Sequence, residues 1–217
     1  MTELKIDELL AEAVEAYRLL PKDLPVGMVI EAMTNCRVIP VDNSETDIEL
    51  ITRLKLAANR LIASSKTAPI KTGRVNELGN NIEEPLLNAC IEVGLDAVWP
   101  RRSDGSGGRT GYPDIAISID ERKSFLEAKV IASGSEGSSF RSFYLSPSDN
   151  PKVFEDARHV LIAFTHKRVK NSVDGFEQYE LASYKIVDLA LVCGKIKFEY
   201  QSSNKDMYLG DAVLAEG

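Results

Sequence analysis

The chain changes its hydrophobic period about halfway along. From Ile6 to Leu20, the apolar residues Leu9, Leu10, Ala13, Val14, Tyr17 and Leu20 recur at helical spacing, and Pro21 and Pro25 end that helix. Val26 to Met33 is a short apolar stretch that reads as another helix. Pro40 and the polar run after it break the chain. Ser44, with Asp47 three residues on, resembles a capping box. It opens a helix over about 45–63, with Ile48, Ile51, Leu54, Leu56, Ala57, Leu61 and Ile62 as its apolar stripe. Residues 65–73 read as a linker. A fourth helical pattern covers about 74–93 through Val75, Leu78, Ile82, Leu86, Ala89 and Cys90, and Pro85 kinks it or marks its start.

The second half alternates instead. Ala97 to Trp99 is a short apolar run, followed by a Gly-rich loop from Ser103 to Gly111. Ile115, Ile117 and Ile119 alternate with small or polar residues, Phe125 to Ile131 is a second β-like run, and His159 to Phe164 a third, apolar enough for a central strand. Phe176 to Leu181 reads as a strand, Tyr184 to Val192 as a helix and Lys195 to Tyr200 as an edge strand. Helices first and strands later predict an α/β (α+β) fold, a mixed β-sheet flanked by helices with an N-terminal helical portion. The expected division is a helical portion over 1–70 and a core over 71–217.

The two best strand patterns make a hairpin. With the turn at about Asp120 to Lys123, Ile119 pairs with Ser124 and Asp114 lies opposite Lys129, with Glu127 on the same face. The other face collects Ile115, Ile117, Ile119, Leu126, Ala128 and Val130. A slip of one residue would bury Asp114 among them, so the apolar pattern selects the faces without reference to function.

Composition narrows the class. The 217 residues are 44% apolar and 27% charged, the proportions of a globular chain long enough for a real core. There is no apolar run of the ~18 residues that a membrane span requires, and the N-terminus does not read as a secretory signal. Cys36, Cys90 and Cys193 have no metal or redox spacing and read as buried thiols of a reducing, cytoplasmic compartment. The net charge of −7 argues against nonspecific nucleic-acid binding, but its distribution is uneven. Residues 1–50 carry −7, 51–100 carry +1, 101–170 carry +3 and 171–217 carry −4. The basic middle suits a DNA cleft within an acidic protein.

That middle also holds the candidate chemistry. Two carboxylates, Asp114 and Glu127, converge with Lys129, and converging carboxylates repel unless a cation lies between them. Mg²⁺ suits such a pair, taking waters and phosphate oxygens for its remaining positions. A lysine beside it orients the attacking water or offsets charge developing on the phosphate. The Gly-rich loop lacks the Gly-Lys-Ser/Thr ending of a P-loop, and no Gly-x-Ser-x-Gly motif supports a serine nucleophile.

Pro113-Asp114, twelve intervening residues and then Glu127-Ala-Lys129 resemble the PD-(D/E)XK nuclease motif of type II restriction endonucleases. Upstream, Gly79-Asn-Asn-Ile-Glu83 resembles the Gly-x-x-x-Glu helix that supplies a further acid in many members. The resemblance covers about residues 74–170. It implies Mg²⁺-dependent, site-specific hydrolysis of double-stranded DNA, leaving 5′-phosphate and 3′-hydroxyl ends. Asp114 and Glu127 would be metal ligands, Lys129 would position the water, and Glu83 would be an outer acid, with Glu77 and Glu84 as alternatives. DNA contacts are expected from Arg109, which flanks the Gly-rich loop, and from Ser139, Arg141 and Tyr144 in the polar segment after Lys129. One motif per chain implies a homodimer for cutting both strands, with residues 1–70 as dimer face or DNA clamp. A cognate DNA methyltransferase would be its genetic partner. The alternatives are a structure-specific or repair nuclease of the same fold and a non-catalytic DNA-binding protein.

Overall fold

A computed structural model describes residues 5–135, 137, 145–169, 175–199, 202–209, 211 and 213–215. The elements run α1 (Ile6–Leu19), β1 (Leu24–Pro25), α2 (Val26–Thr34), β2 (Val38–Ile39), α3 (Glu45–Thr67), β3 (Ile70–Thr72), a 3-10 turn (Val75–Glu77), α4 (Leu78–Glu92), β4 (Asp96–Val98), β5 (Ile115–Ile119), β6 (Arg122–Ala132), β7 (Ala157–Arg168), β8 (Glu177–Asp188), a 3-10 turn (Leu189–Leu191), β9 (Cys193–Gly194) and α5 (Asn204–Tyr208). They group into two units: residues 25–192, and the two chain ends, 1–24 with 193–217. This grouping differs from a cut at residue 70, because α3 buries Leu50, Leu54, Ala57, Ala58, Leu61 and Ile62 in the larger unit's core.

The larger unit is built on a mixed sheet in the order β3-β8-β7-β6-β5-β4, with β2 also pairing β7. β6 and β7 are parallel, and the other neighbours along that order are antiparallel. Alternation along β5, β6 and β7 sends Ile115, Ile117, Leu126, Ala128, Val160, Ile162 and Phe164 into one core with α3 and α4. Ala116 and Phe125 point the other way, into a smaller cluster with Ile30 of α2, Cys36, Val153 and Ala157. The mixed sheet flanked by helices is the one that the patterning predicts, and it is consistent with the restriction-endonuclease-like core that the motif resemblance implies.

Ser44 caps α3 as expected, its side chain accepting from the Asp47 N–H at 3.4 Å. Asp47, buried, takes the Asp42 N–H at 2.8 Å and pairs with buried Arg158. This pair ties the start of α3 to β7. Ile48 and Leu56, assigned to the apolar stripe, are exposed. The expected linker is instead the end of α3 followed by β3. α4 starts at Leu78, after the 3-10 turn, and contains Pro85 in its interior.

Two expectations in the C-terminal part are corrected. The segment from Tyr184 is not a helix, because β8 continues to Asp188 and a 3-10 turn follows. The register between β7 and β8 shifts at Thr165/His166: Thr165 pairs with Ser183 but His166 with Leu181. The bulge sets Leu181 and Tyr184 three apart on the core side, which imitates helical spacing. Residues 195–199 are also not a strand. Cys36 and Cys90 are buried, whereas Cys193 is exposed.

In the smaller unit, α1 forms as expected, yet none of its residues is buried. Tyr17 packs its ring against Phe198 at 5.7 Å. Leu9 and Leu10, on its apolar stripe, face solvent.

Candidate active site

The β5–β6 hairpin sets the geometry. Its turn is two residues, Asp120 and Glu121, with φ of 47° and 64°. Positive φ at both positions is the mark of a tight hairpin turn that matches strand twist. Ile115 therefore pairs with Leu126, Ile117 with Ser124 and Ile119 with Arg122. The expected pairing of Ile119 with Ser124 is off by two residues. A shift of two preserves the faces but changes partners, so Asp114 lies across from Glu127 and not from Lys129. The Asp114 N–H donates to the Leu126 carbonyl at 3.2 Å, and its carboxylate accepts from the Ala128 N–H at 2.8 Å. The hairpin backbone itself thus holds the Asp114 carboxylate beside Glu127.

Glu127 is 5% exposed. One carboxyl oxygen pairs with Lys129, and the other is buried with no hydrogen-bond partner. Burial, then the neighbouring Asp114 charge, push its pKa up to about 7, and Lys129 opposes them. Burial and then Asp114 also raise Glu83, on α4. Of the three upstream acids, Glu83 is the half-buried one whose carboxyl responds to Asp114; Glu84 is exposed and Glu77 lies in the 3-10 turn before α4.

Arg109 sits at the mouth of this cluster. Its guanidinium lies 3.9 Å from Glu83, 3.6 Å from Glu84 and 4.3 Å from the centre of the Trp99 ring. The loop before it is anchored by Asn150, whose side-chain oxygen accepts from the Ser103 hydroxyl at 2.8 Å and the Asp104 N–H at 3.1 Å. Ser139, Arg141 and Tyr144 lie outside the described residues.

Sequence reasoning missed Lys152. Its side chain is 4% exposed and its ammonium donates to the carbonyls of Gly111 at 2.7 Å, Pro113 at 3.0 Å and Arg109 at 3.5 Å. Burial lowers its pKa, and Asp114, Glu83 and Glu127 oppose that shift. It therefore gathers the loop that delivers Asp114 and places positive charge behind the three acids. A lysine in an irregular segment gives no local signal of this. Tyr112, joined to Pro113 by a cis peptide bond, shares a hydrogen bond of 2.5 Å between its hydroxyl and Nδ1 of fully buried His159. Burial lowers His159 to about 4, so it stays neutral in the core.

Among the described residues no three His, Cys, Asp or Glu side chains form a metal-binding group. The fit to a divalent cation rests on the pair alone: two adjacent carboxylates, one with a buried oxygen that nothing else satisfies. Such a pair, completed by waters and phosphate oxygens, is the donor set that magnesium accepts.

A family model described as the type II restriction enzyme MjaV family matches residues 20–211, which include all of these groups. The type II restriction enzyme MjaV of Methanocaldococcus jannaschii is 32% identical over 204 residues, covering 86% of each chain. No solved structure matches.

Proposed function

Because the chain belongs to the type II restriction enzyme MjaV family, we propose that it is a Mg²⁺-dependent endonuclease whose centre is Asp114, Glu127 and Lys129. The observation that carries this reading is the convergence of the three side chains on one face of the hairpin, with the second Glu127 oxygen buried and unsatisfied. Asp114 and Glu127 would hold the cation, which when bound supplies positive charge beside the phosphate. Lys129 orients the attacking water and offsets charge on the phosphate oxygens. Glu83 contributes an outer carboxylate, and Arg109 exchanges its carboxylate neighbours for a DNA phosphate. Ser139, Arg141 and Tyr144 are retained as proposed DNA contacts.

The enzyme acts on double-stranded DNA as a homodimer, one centre per strand, with a cognate methyltransferase protecting the host sites. The solvent-facing apolar residues of α1 support dimerisation through the first 70 residues, while residues 71–217 carry the centre. No described helix is long and apolar enough to cross a membrane, and all three cysteines are free, which supports a cytoplasmic enzyme.

Digestion of unmodified phage DNA tests this. Wild-type protein with Mg²⁺ yields discrete fragments, and Lys129→Ala lowers the rate by about 10²–10³-fold without lowering stability. A smear, or cutting confined to branched DNA, would favour a structure-specific nuclease instead. Absence of cutting with any divalent metal would leave a DNA-binding protein.

A further inference from the structure

We propose that the outer face of α4 reads base edges of the DNA beside the scissile phosphate; this inference rests on the nuclease reading above. α4 buries Leu78, Ile82, Leu86, Leu87, Ala89 and Cys90. Its opposite side carries Asn80, Asn81, Glu84 and Asn88, all exposed. At 100° per residue these four fall within an arc of about 100°, and Glu83 lies about 60° beyond its Asn80 edge. The helix that presents an acid to the catalytic pair thus presents amides immediately alongside.

The amide face lines an open surface hollow of about 580 Å³, whose lining also includes Lys71 and Arg109. Arg109 lies between Glu83 and Glu84, so the hollow and the acid cluster share a cation. Asn81 is partly engaged, donating to the Lys71 carbonyl at 3.1 Å and fastening α4 to β3. Among the described residues, Asn80 and Asn88 make no side-chain hydrogen bond. Pro85 adds an acceptor to the same face, because it lacks the N–H that the Asn81 carbonyl would otherwise take.

Asparagine is a poor helix former, since its amide competes with the backbone. Placing three in fifteen residues weakens α4, and two of them gain no side-chain hydrogen bond among the described residues. DNA would take the place of the water that solvates these exposed amides. A carboxamide presents a donor and an acceptor side by side, the complement of adenine N6 and N7 in the major groove. Glu84 is placed to accept from cytosine N4, and Lys71 and Arg109 meet the flanking phosphates.

The test is cleavage selection from a randomised duplex library by the wild-type enzyme, Asn80→Ala and Asn88→Ala. The inference expects at least one variant to lose discrimination at a particular base position by about 10–100-fold. Both variants should melt at the wild-type temperature or slightly above it, because alanine is the better helix former. Variants that keep the wild-type sequence profile overturn the inference. Uniformly weaker cutting of all sequences, with the profile intact, also overturns it and makes the face a phosphate contact. A wild-type enzyme that neither cuts nor prefers any sequence overturns the nuclease reading, and this inference with it.

Discussion

The two faces of the β5–β6 hairpin are made by alternate residues of the same two strands, yet they obey opposite rules. On one face Ile115, Ile117, Leu126 and Ala128 are buried against α3 and α4, where each apolar group removed from water stabilises the fold. On the other, Asp114, Glu127 and Lys129 crowd together with a buried carboxyl oxygen lacking a partner. That arrangement costs stability, and burying a charge this way is tolerated only because the rest of the sheet is well packed. The strand backbone is the common support, so the dry face keeps the acids at a fixed spacing.

Substitutions should separate the faces. Leu126→Ala, on the dry face, should lower unfolding free energy by about 2–5 kcal/mol in a denaturant titration, while the folded fraction still cuts DNA. Glu127→Gln should do the reverse, abolishing cleavage while raising the melting temperature near pH 7. The folded Glu127 pKa, about 7, lies above its ordinary value of 4.5, so folding binds this proton more tightly. Its stabilising effect is complete below pH 4.5 and is lost as pH rises through 7. Wild-type stability should therefore fall across that window by on the order of 3 kcal/mol, and the variant's slope should be flatter. Lys152→Met tests the link between the faces and the loop. It leaves the Gly111 and Pro113 carbonyls without their donor, which should cost about 1–3 kcal/mol of stability. It should also lower kcat, because the loop carrying Asp114 and Arg109 is released.

That Asp114, Glu127 and Lys129 share one face was readable because strand alternation and the apolar pattern converge on one set of faces. The register was not. Whether Asp114 meets Lys129 or Glu127 depends on the turn, and a two-residue turn with positive φ at Asp120 and Glu121 carries no glycine or asparagine to announce it. β8 was misread for a related reason: its bulge places Leu181 and Tyr184 at a helix-like interval. Glu83 could be singled out by spacing along a helix, but its separation from Glu84 as the acid facing Asp114 came from how α4 packs.

Local patterning therefore determined the helices of the first half, the faces of the hairpin and the residue types that point to phosphodiester chemistry. These follow from periods of 3.6 and 2, which are properties of neighbouring residues. Tertiary structure alone decided which carboxylates meet, how deeply Glu127 is buried, and that Lys152 closes on the Gly111, Pro113 and Arg109 carbonyls from about forty residues away. Those depend on chain segments distant in sequence meeting in a low-dielectric interior, where small changes in placement set large changes in charge energy.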